Sequence, residues 1–258
     1  MIFQSLRNYW RAYFIEAVAS FGFVFLAGTF TILLEHPNSP AADLFPGDYP
    51  ILRRVPNGLI MGSYIGLVNY LWGKSSGAHA NPSTTWAYFR LGKITFTNAV
   101  FYTLAQFAGA IVGTQFLKLT FGSYFAHPLI NFGVTEPKPP HGSATAFIAE
   151  FSISFVLMAV TLVVISRKNW EKSIPIIVAV LIAFFIIFET PLSGMSLNPA
   201  RSFAGDLAAN RWEHLWIYFV APPTAMLVAA EIYLRVKPVF KDFFDKEPSS
   251  YPVEKAFG

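Results

Sequence analysis

Apolar residues fall in six long runs along this chain: 10–34, 56–73, 95–121, 143–166, 173–191 and 212–236. Each is close to the ~20 residues that a helix needs to cross a bilayer, so each predicts a membrane-spanning helix. Two shorter pieces, 81–90 and 198–208, open on Asn-Pro. Asparagine caps free backbone N–H groups at a helix start, and proline suits the first helical turn. At about 15 Å the first piece is too short to cross. Both predict half-helices that enter the membrane and turn back. The stretches 35–55 and 122–142 are too rich in proline and polar residues to cross and read as loops (Pro37, Pro40, Pro46 and Pro50 in one, Pro128, Pro137, Pro139 and Pro140 in the other).

The order of elements repeats. A span holding a glutamate (Glu16, then Glu150) precedes a plain span, an Asn-Pro half-helix and a last span, over 10–121 and again over 143–236. Three spans per half is an odd number, so the second copy must enter the membrane upside down. Inverted repeats with broken helices meeting near the midplane form a class of transport fold. The expectation is an all-α membrane protein of six transmembrane helices plus two re-entrant half-helices. It forms one domain over 1–258 with a polar tail at 237–258. The first run does not read as a cleavable signal: it is too long and contains Glu16.

Composition agrees with a membrane setting. The chain is 54% hydrophobic, 17% aromatic and only 13% charged, where a soluble domain is nearer a quarter charged. There is no cysteine, which excludes a disulfide, a thiolate metal site or a catalytic thiol. No residue pattern calls for a metal or cofactor. The formal charge of +4 reports topology rather than a nucleic-acid partner. With both termini and the 167–172 link inside, thirteen of the nineteen Lys and Arg residues lie on the cytoplasmic side (Arg7, Arg11, Lys74, Arg90, Lys93, Arg167, Lys168, Lys172, Arg235, Lys237, Lys241, Lys246, Lys255). That bias favours cytoplasmic termini, in a plasma or inner membrane.

Two half-helices entering from opposite faces would meet N-terminus to N-terminus. Each N-terminus carries about half a positive charge and unpaired N–H groups. Facing one pore, the two repel cations, and the Asn81 and Asn198 amides donate to a passing oxygen and hinder a proton wire. Nothing here performs covalent chemistry, so no enzyme is expected. Two other classes stay open. An ion-coupled transporter would need titrating groups near the midplane, for which Glu16 and Glu150 are the candidates. A membrane scaffold would not need the pore at all.

The paired motifs SGAHANPS and GMSLNPARS resemble the two signature loops of the aquaporin, or major intrinsic protein, family. YFIEAVASFGFVFLAGTF resembles its first span, YTLAQFAGAIVG its third with Gln106, AFIAEFSISFVLM its fourth and VAPPTAM its sixth. The resemblance implies a homotetramer with a pore in each subunit, embedded in the lipid bilayer and passing water and small neutral solutes. It implies central donors at Asn81 and Asn198 in motifs completed by Pro82, Ser83, Pro199 and Ala200. It makes Arg201 a filter charge and Glu16 and Glu150 buried supports for the half-helix loops, with Gln106 a further buried polar group. It makes His79 a structural or pore-lining residue.

Two departures stand out. Ser83 replaces the usual alanine, and its hydroxyl is expected to bond a nearby backbone carbonyl. The filter is the larger one. Counting from the motifs by the family register gives Met61, Ile186 and Met195 beside Arg201, where a strict water channel has an aromatic residue and a histidine. Methionine adapts its shape readily, so this lining suits glycerol, urea, ammonia or hydrogen peroxide as well as water. Against that, Ser202 after Arg201 and the aromatic Tyr218 and Phe219 follow the water-channel pattern. Water is therefore expected first, with small neutral solutes following. Glu189, three residues past Ile186, is expected as a solvated carboxylate at the outer mouth.

Overall fold

Proline and glycine set where the helices begin and end. Pro50, Pro82 and Pro199 each stand at a first helical position, where the missing N–H costs nothing. Gly194 closes the long helix before the second motif in a left-handed conformation, φ +82°, which suits a residue without Cβ. The computed structural model describes residues 2–41, 44–45, 49–167 and 170–239. Lys168, Lys241, Lys246, Lys255 and the tail from 240 lie outside the described residues. The helices are α1 (Ile2–Glu35), α2 (Pro50–Trp72), α3 (Pro82–Arg90), α4 (Phe96–Phe121), a single turn α5 (Ser123–Ala126), α6 (Ser143–Ile165), α7 (Ile174–Ser193), α8 (Pro199–Ala209) and α9 (Leu215–Val239).

Two boundaries differ from the sequence expectation by more than three residues. Helix α1 starts at Ile2 rather than 10, because residues 2–9 contain no Gly or Pro to stop it. Helix α2 starts at Pro50 rather than 56: the polar Arg53 and Arg54 lie within its first turns, and Pro56 is accommodated inside the helix. Helices α1, α4, α6, α7 and α9 are long and apolar enough to cross a membrane. Helix α2, with its two arginines, is not among them by composition. At 23 residues it still extends about 34 Å, enough to span, and it packs lengthwise on α7.

The helices pair symmetrically. Helix α1 packs along α4 as α6 packs along α9, and α3 rests on α9 as α8 rests on α4. The α2–α7 contact lies between the halves. The outside is apolar, and the largely apolar interior also holds polar groups: Leu104, Val112, Leu119, Ile148, Val180 and Phe184 are exposed, whereas Glu16, Gln106 and Glu150 are fully buried. Hydrocarbon is the solvent that permits this distribution.

Close helix approach depends on glycine. A Cβ added at Gly109 would stand 2.0 Å from the Ala17 carbonyl oxygen across the α1–α4 contact, and one at Gly62 would stand 2.3 Å from the Ala179 carbonyl across α2–α7. Small residues let backbones in membranes come this near. The Gly109→Ala variant must push the two helices apart. It is expected to lose about 1–3 kcal/mol, read as a fall in melting temperature in detergent. An unchanged melting temperature would show that the α1–α4 spacing is not tight.

Candidate functional site: two opposed half-helices

Two loops built to one plan position the site. In the first, Gly77, Ala78 and Ala80 have φ of +86°, +50° and +46°; in the second, Gly194, Met195 and Leu197 have +82°, +50° and +61°. Each set occupies the fourth, third and first positions before the motif asparagine. Left-handed backbone at a non-glycine residue costs on the order of 1–3 kcal/mol and persists only where its surroundings over-determine it.

The surroundings here are a buried carboxylate in each half. Glu16 Oε1 accepts from the Ser76 hydroxyl at 2.8 Å and the His79 N–H at 3.0 Å, and Oε2 accepts from the Ala80 N–H at 2.6 Å and Gln106 Nε2 at 2.8 Å. Glu150 Oε1 accepts from the Ser193 hydroxyl at 2.7 Å and the Ser196 N–H at 2.6 Å, and Oε2 accepts from the Leu197 N–H at 2.8 Å. Both serines also accept from the N–H two residues on, of Ala78 and of Met195, at 3.0 Å. Tyr102 on α4 donates to the Ser76 carbonyl at 2.7 Å, and Tyr218 on α9 donates to the Ser193 carbonyl.

Ser76, Ser193 and Tyr102 were not among the site residues read from the sequence, and Tyr218 was noted there only for its aromatic ring. A signal for the serines was present: Ser-Gly stands five and four residues before the asparagine in both motifs. The tyrosines have no such local marker, because each acts across helices.

The half-helices face each other. Asn81 caps α3 by accepting from the Ser83 N–H at 2.8 Å. Asn198 caps α8 by accepting from the N–H groups of Ala200 and Arg201 at 3.0 and 3.4 Å. Each amide also reaches over to the other loop. Asn81 Nδ2 donates to the Leu197 carbonyl and Asn198 Nδ2 to the Ala80 carbonyl, both at 2.8 Å. Pro82 and Pro199 open the two helices, and Ala200 is fully buried. A side-chain amide carries two N–H groups, so one per asparagine remains beyond these bonds.

Asn81 and Asn198 line a cavity with about 110 Å³ of room for water. It begins where α2 and α6 end and α7 begins, beside Asn69, Ile165 and Ile174, and runs past both asparagines to Met195. His79 also lines it, with its ring against Tyr88 and Tyr102 and Nδ1 3.1 Å from the Thr85 hydroxyl. Met61, Ile186 and Met195, 1%, 7% and 3% exposed, pack in one apolar cluster with Val178 and Ile182 of the cavity wall, and Met195 itself lines the cavity. Arg201 stands in the first turn of α8 with Nη1 buried and without a hydrogen-bond partner.

Two expectations are corrected. The Ser83 hydroxyl is buried and has no hydrogen-bond partner. Back-bonding would need the carbonyls of His79 or Ala80, which precede the helix and do not lie along its axis. Glu189 is not solvated at the mouth: it is 5% exposed. It falls on the buried stripe of α7 with Val178, Ile182 and Ile186, so the helical period turns it inward rather than toward water.

Comparison with known proteins places this geometry. A family model described as Major intrinsic protein matches residues 3–233. The chain is 30% identical over 226 residues to Aquaporin NIP2-2 of Zea mays, covering 87% of this chain and 72% of that one. It is 34% identical over 226 residues to Glycerol uptake facilitator protein-like 6 of Lactiplantibacillus plantarum, covering 85% of this chain and 95% of that one. The aquaglyceroporin from Plasmodium falciparum superposes with a TM-score of 0.73 at 22% identity, over 91% of this chain and 98% of that one. At that identity the likeness is one of fold.

Proposed function

The chain belongs to the major intrinsic protein family, and from that premise we propose that it conducts water first and small neutral solutes second, while rejecting ions and protons. It is a multi-pass integral membrane protein and a passive channel, not an enzyme. The observation that carries the finer reading is the meeting of two helix N-termini at one cavity, each capped by an asparagine that retains an amide N–H. Positive helix ends there oppose cations. Paired donors fix the orientation of a passing oxygen, which breaks the hydrogen-bonded chain along which protons hop.

In this reading Arg201, Met61, Ile186 and Met195 form the filter where the cavity narrows. The arginine donates to oxygens through Nη1, and the other three supply an apolar wall. Glu16 and Glu150 hold the loops rather than titrate during transport, because their oxygens are occupied by loop donors. Gln106 joins the first of these networks, and His79 lines the pore. A second reading, with glycerol, urea, ammonia or hydrogen peroxide as the main permeant, draws on the apolar wall and on the glycerol-facilitator name of one relative.

We also propose that both termini are cytoplasmic, in a plasma or inner membrane. Arg7, Lys74, Arg90, Arg167 and Arg235 belong to helix ends on the same side of the bundle as the described ends of the chain, and the positive-inside rule supports assigning that side to the cytoplasm. The cavity runs within one chain, which suits a homotetramer with four separate pores.

Stopped-flow light scattering on proteoliposomes tests the permeant. Water flux is expected with a low activation energy, independent of a pH gradient, and glycerol flux is expected to be slower. Absence of any flux would sink the channel reading. Glycerol passing as fast as water would transfer the assignment to the second reading.

A further inference from the structure

The buried face of α7 continues past the part that lines the cavity. Val178, Ile182, Ile186 and Glu189 recur at steps of three and four residues, so they share one side of the helix. Val178 and Ile182 line the cavity. Ile186 packs with Met61 and Met195. Glu189 is the next step, about 4.5 Å further along the axis and past the residues of α7 that line the cavity.

Its chemistry is unusual for that place. Glu189 is 5% exposed, and neither carboxyl oxygen has a hydrogen-bond partner. Nη1 of Arg201 is buried and equally without one. The two side chains lie within electrostatic reach of each other but do not hydrogen-bond. The Ser193 hydroxyl lies close to Glu189 as well, but its single hydrogen is donated to Glu150 Oε1 at 2.7 Å. Buried polar groups are ordinarily paired. An open acceptor and an open donor so close to each other can both be met by one molecule that donates and accepts.

Resting on the channel reading above, we propose that Glu189 is a specificity-determining residue. Together with Arg201 it forms a two-point site for a small neutral solute with several O–H or N–H donors beside an oxygen acceptor, such as a polyol or a urea-like amide. The solute donates to the Glu189 carboxyl group and accepts from Arg201 Nη1. Its carbon frame then passes the wall of Met61, Ile186 and Met195, which offers no hydrogen bonds to hold it.

The test uses the full chain in liposomes with water, urea and glycerol as probes. Losing one hydrogen bond of ordinary strength lowers occupancy about fivefold. The urea and glycerol permeabilities of Glu189→Leu, each divided by that for water, are therefore expected to fall about fivefold. Glu189→Gln, which keeps an acceptor oxygen, is expected to recover part of the loss. Solute-to-water ratios within twofold of wild type in both variants would overturn the proposal. A wild-type protein that passes water but neither solute would overturn it while leaving the water channel standing. A wild-type protein that passes nothing would overturn both. Should Glu189→Leu fail to reconstitute, the wild type decides: urea added equally to both sides is expected to slow water flux by occupying the site, and undiminished flux counts against it.

Discussion

Replacing Glu16 with alanine is expected to abolish the folded channel. The carboxylate is fully buried and accepts from the Ser76 hydroxyl, the N–H groups of His79 and Ala80, and Gln106 Nε2. Alanine leaves those donors buried and unmet. Each unmet donor costs about 1–3 kcal/mol, so the four together reach several kcal/mol. That is comparable with the whole stability of a typical domain, about 5–15 kcal/mol. The same loop stores unfavourable backbone at Ala78 and Ala80, and the carboxylate holds Ala80 directly and Ala78 through the Ser76 hydroxyl. The protein is expected to lose its monodisperse elution in detergent and its cooperative melt. Glu16→Gln should be milder, since one oxygen still accepts. A Glu16→Ala protein that melts within a few degrees of wild type would show that the carboxylate does not hold the loop. The equivalent Glu150→Ala change removes three donors' acceptor rather than four and is expected to cost less.

Replacing Arg201 with valine should have the largest effect on selection among permeants. Arg201 is the one cationic side chain between 192 and 206, and its Nη1 is unpartnered beside the constriction. A unit charge about 4 Å from a passing cation, at an effective dielectric near 20, raises its energy by up to about 4 kcal/mol. Removing it is therefore expected to increase cation leak by up to about a thousandfold. The helix N-termini still oppose cations, so the leak will not be free. Ion flux in proteoliposomes measures the leak. Solute selection and cation exclusion unchanged in Arg201→Val would place Arg201 outside the filter.

Much of the scaffold was legible because its signals are local. Runs of apolar residues mark the long helices, and Asn-Pro marks the short ones, since capping and the missing proline N–H act within one helical turn. The helix starts that differ, at Ile2 and Pro50, differ because hydropathy reports where lipid begins rather than where hydrogen bonding does. Helix α2 shows the same gap from the other side: its arginines weaken its apolar signal, and it lies lengthwise on α7 all the same.

The interior was legible only in part. Glu16 and Glu150 are visible in sequence because a carboxylate inside an apolar run demands a partner. Their partners follow from a bend of the chain that returns residues 76–80 and 193–197 to them. Tyr102 and Tyr218 meet Ser76 and Ser193 across 26 and 25 residues, with no pattern in the sequence to announce it. Ser83 and Glu189 went the other way. A serine near a helix start usually finds a carbonyl, and a glutamate near a span end usually finds water. Here the non-helical turn before α3 denies the first, and the inward stripe of α7 denies the second.

By itself, the sequence determined the six long helices, their repeat, the two half-helices and the polarity of their caps, because these depend on hydrophobic length and on hydrogen bonds within a few residues. Only the tertiary structure decided that Asn81 and Asn198 bond each other's loops and that Met61, Ile186 and Met195 pack together. It alone left Glu189 and Arg201 Nη1 buried with unused hydrogen-bonding atoms. Those outcomes depend on which faces of distant helices meet, and a buried polar atom's partner is set by that meeting rather than by its neighbours in the chain.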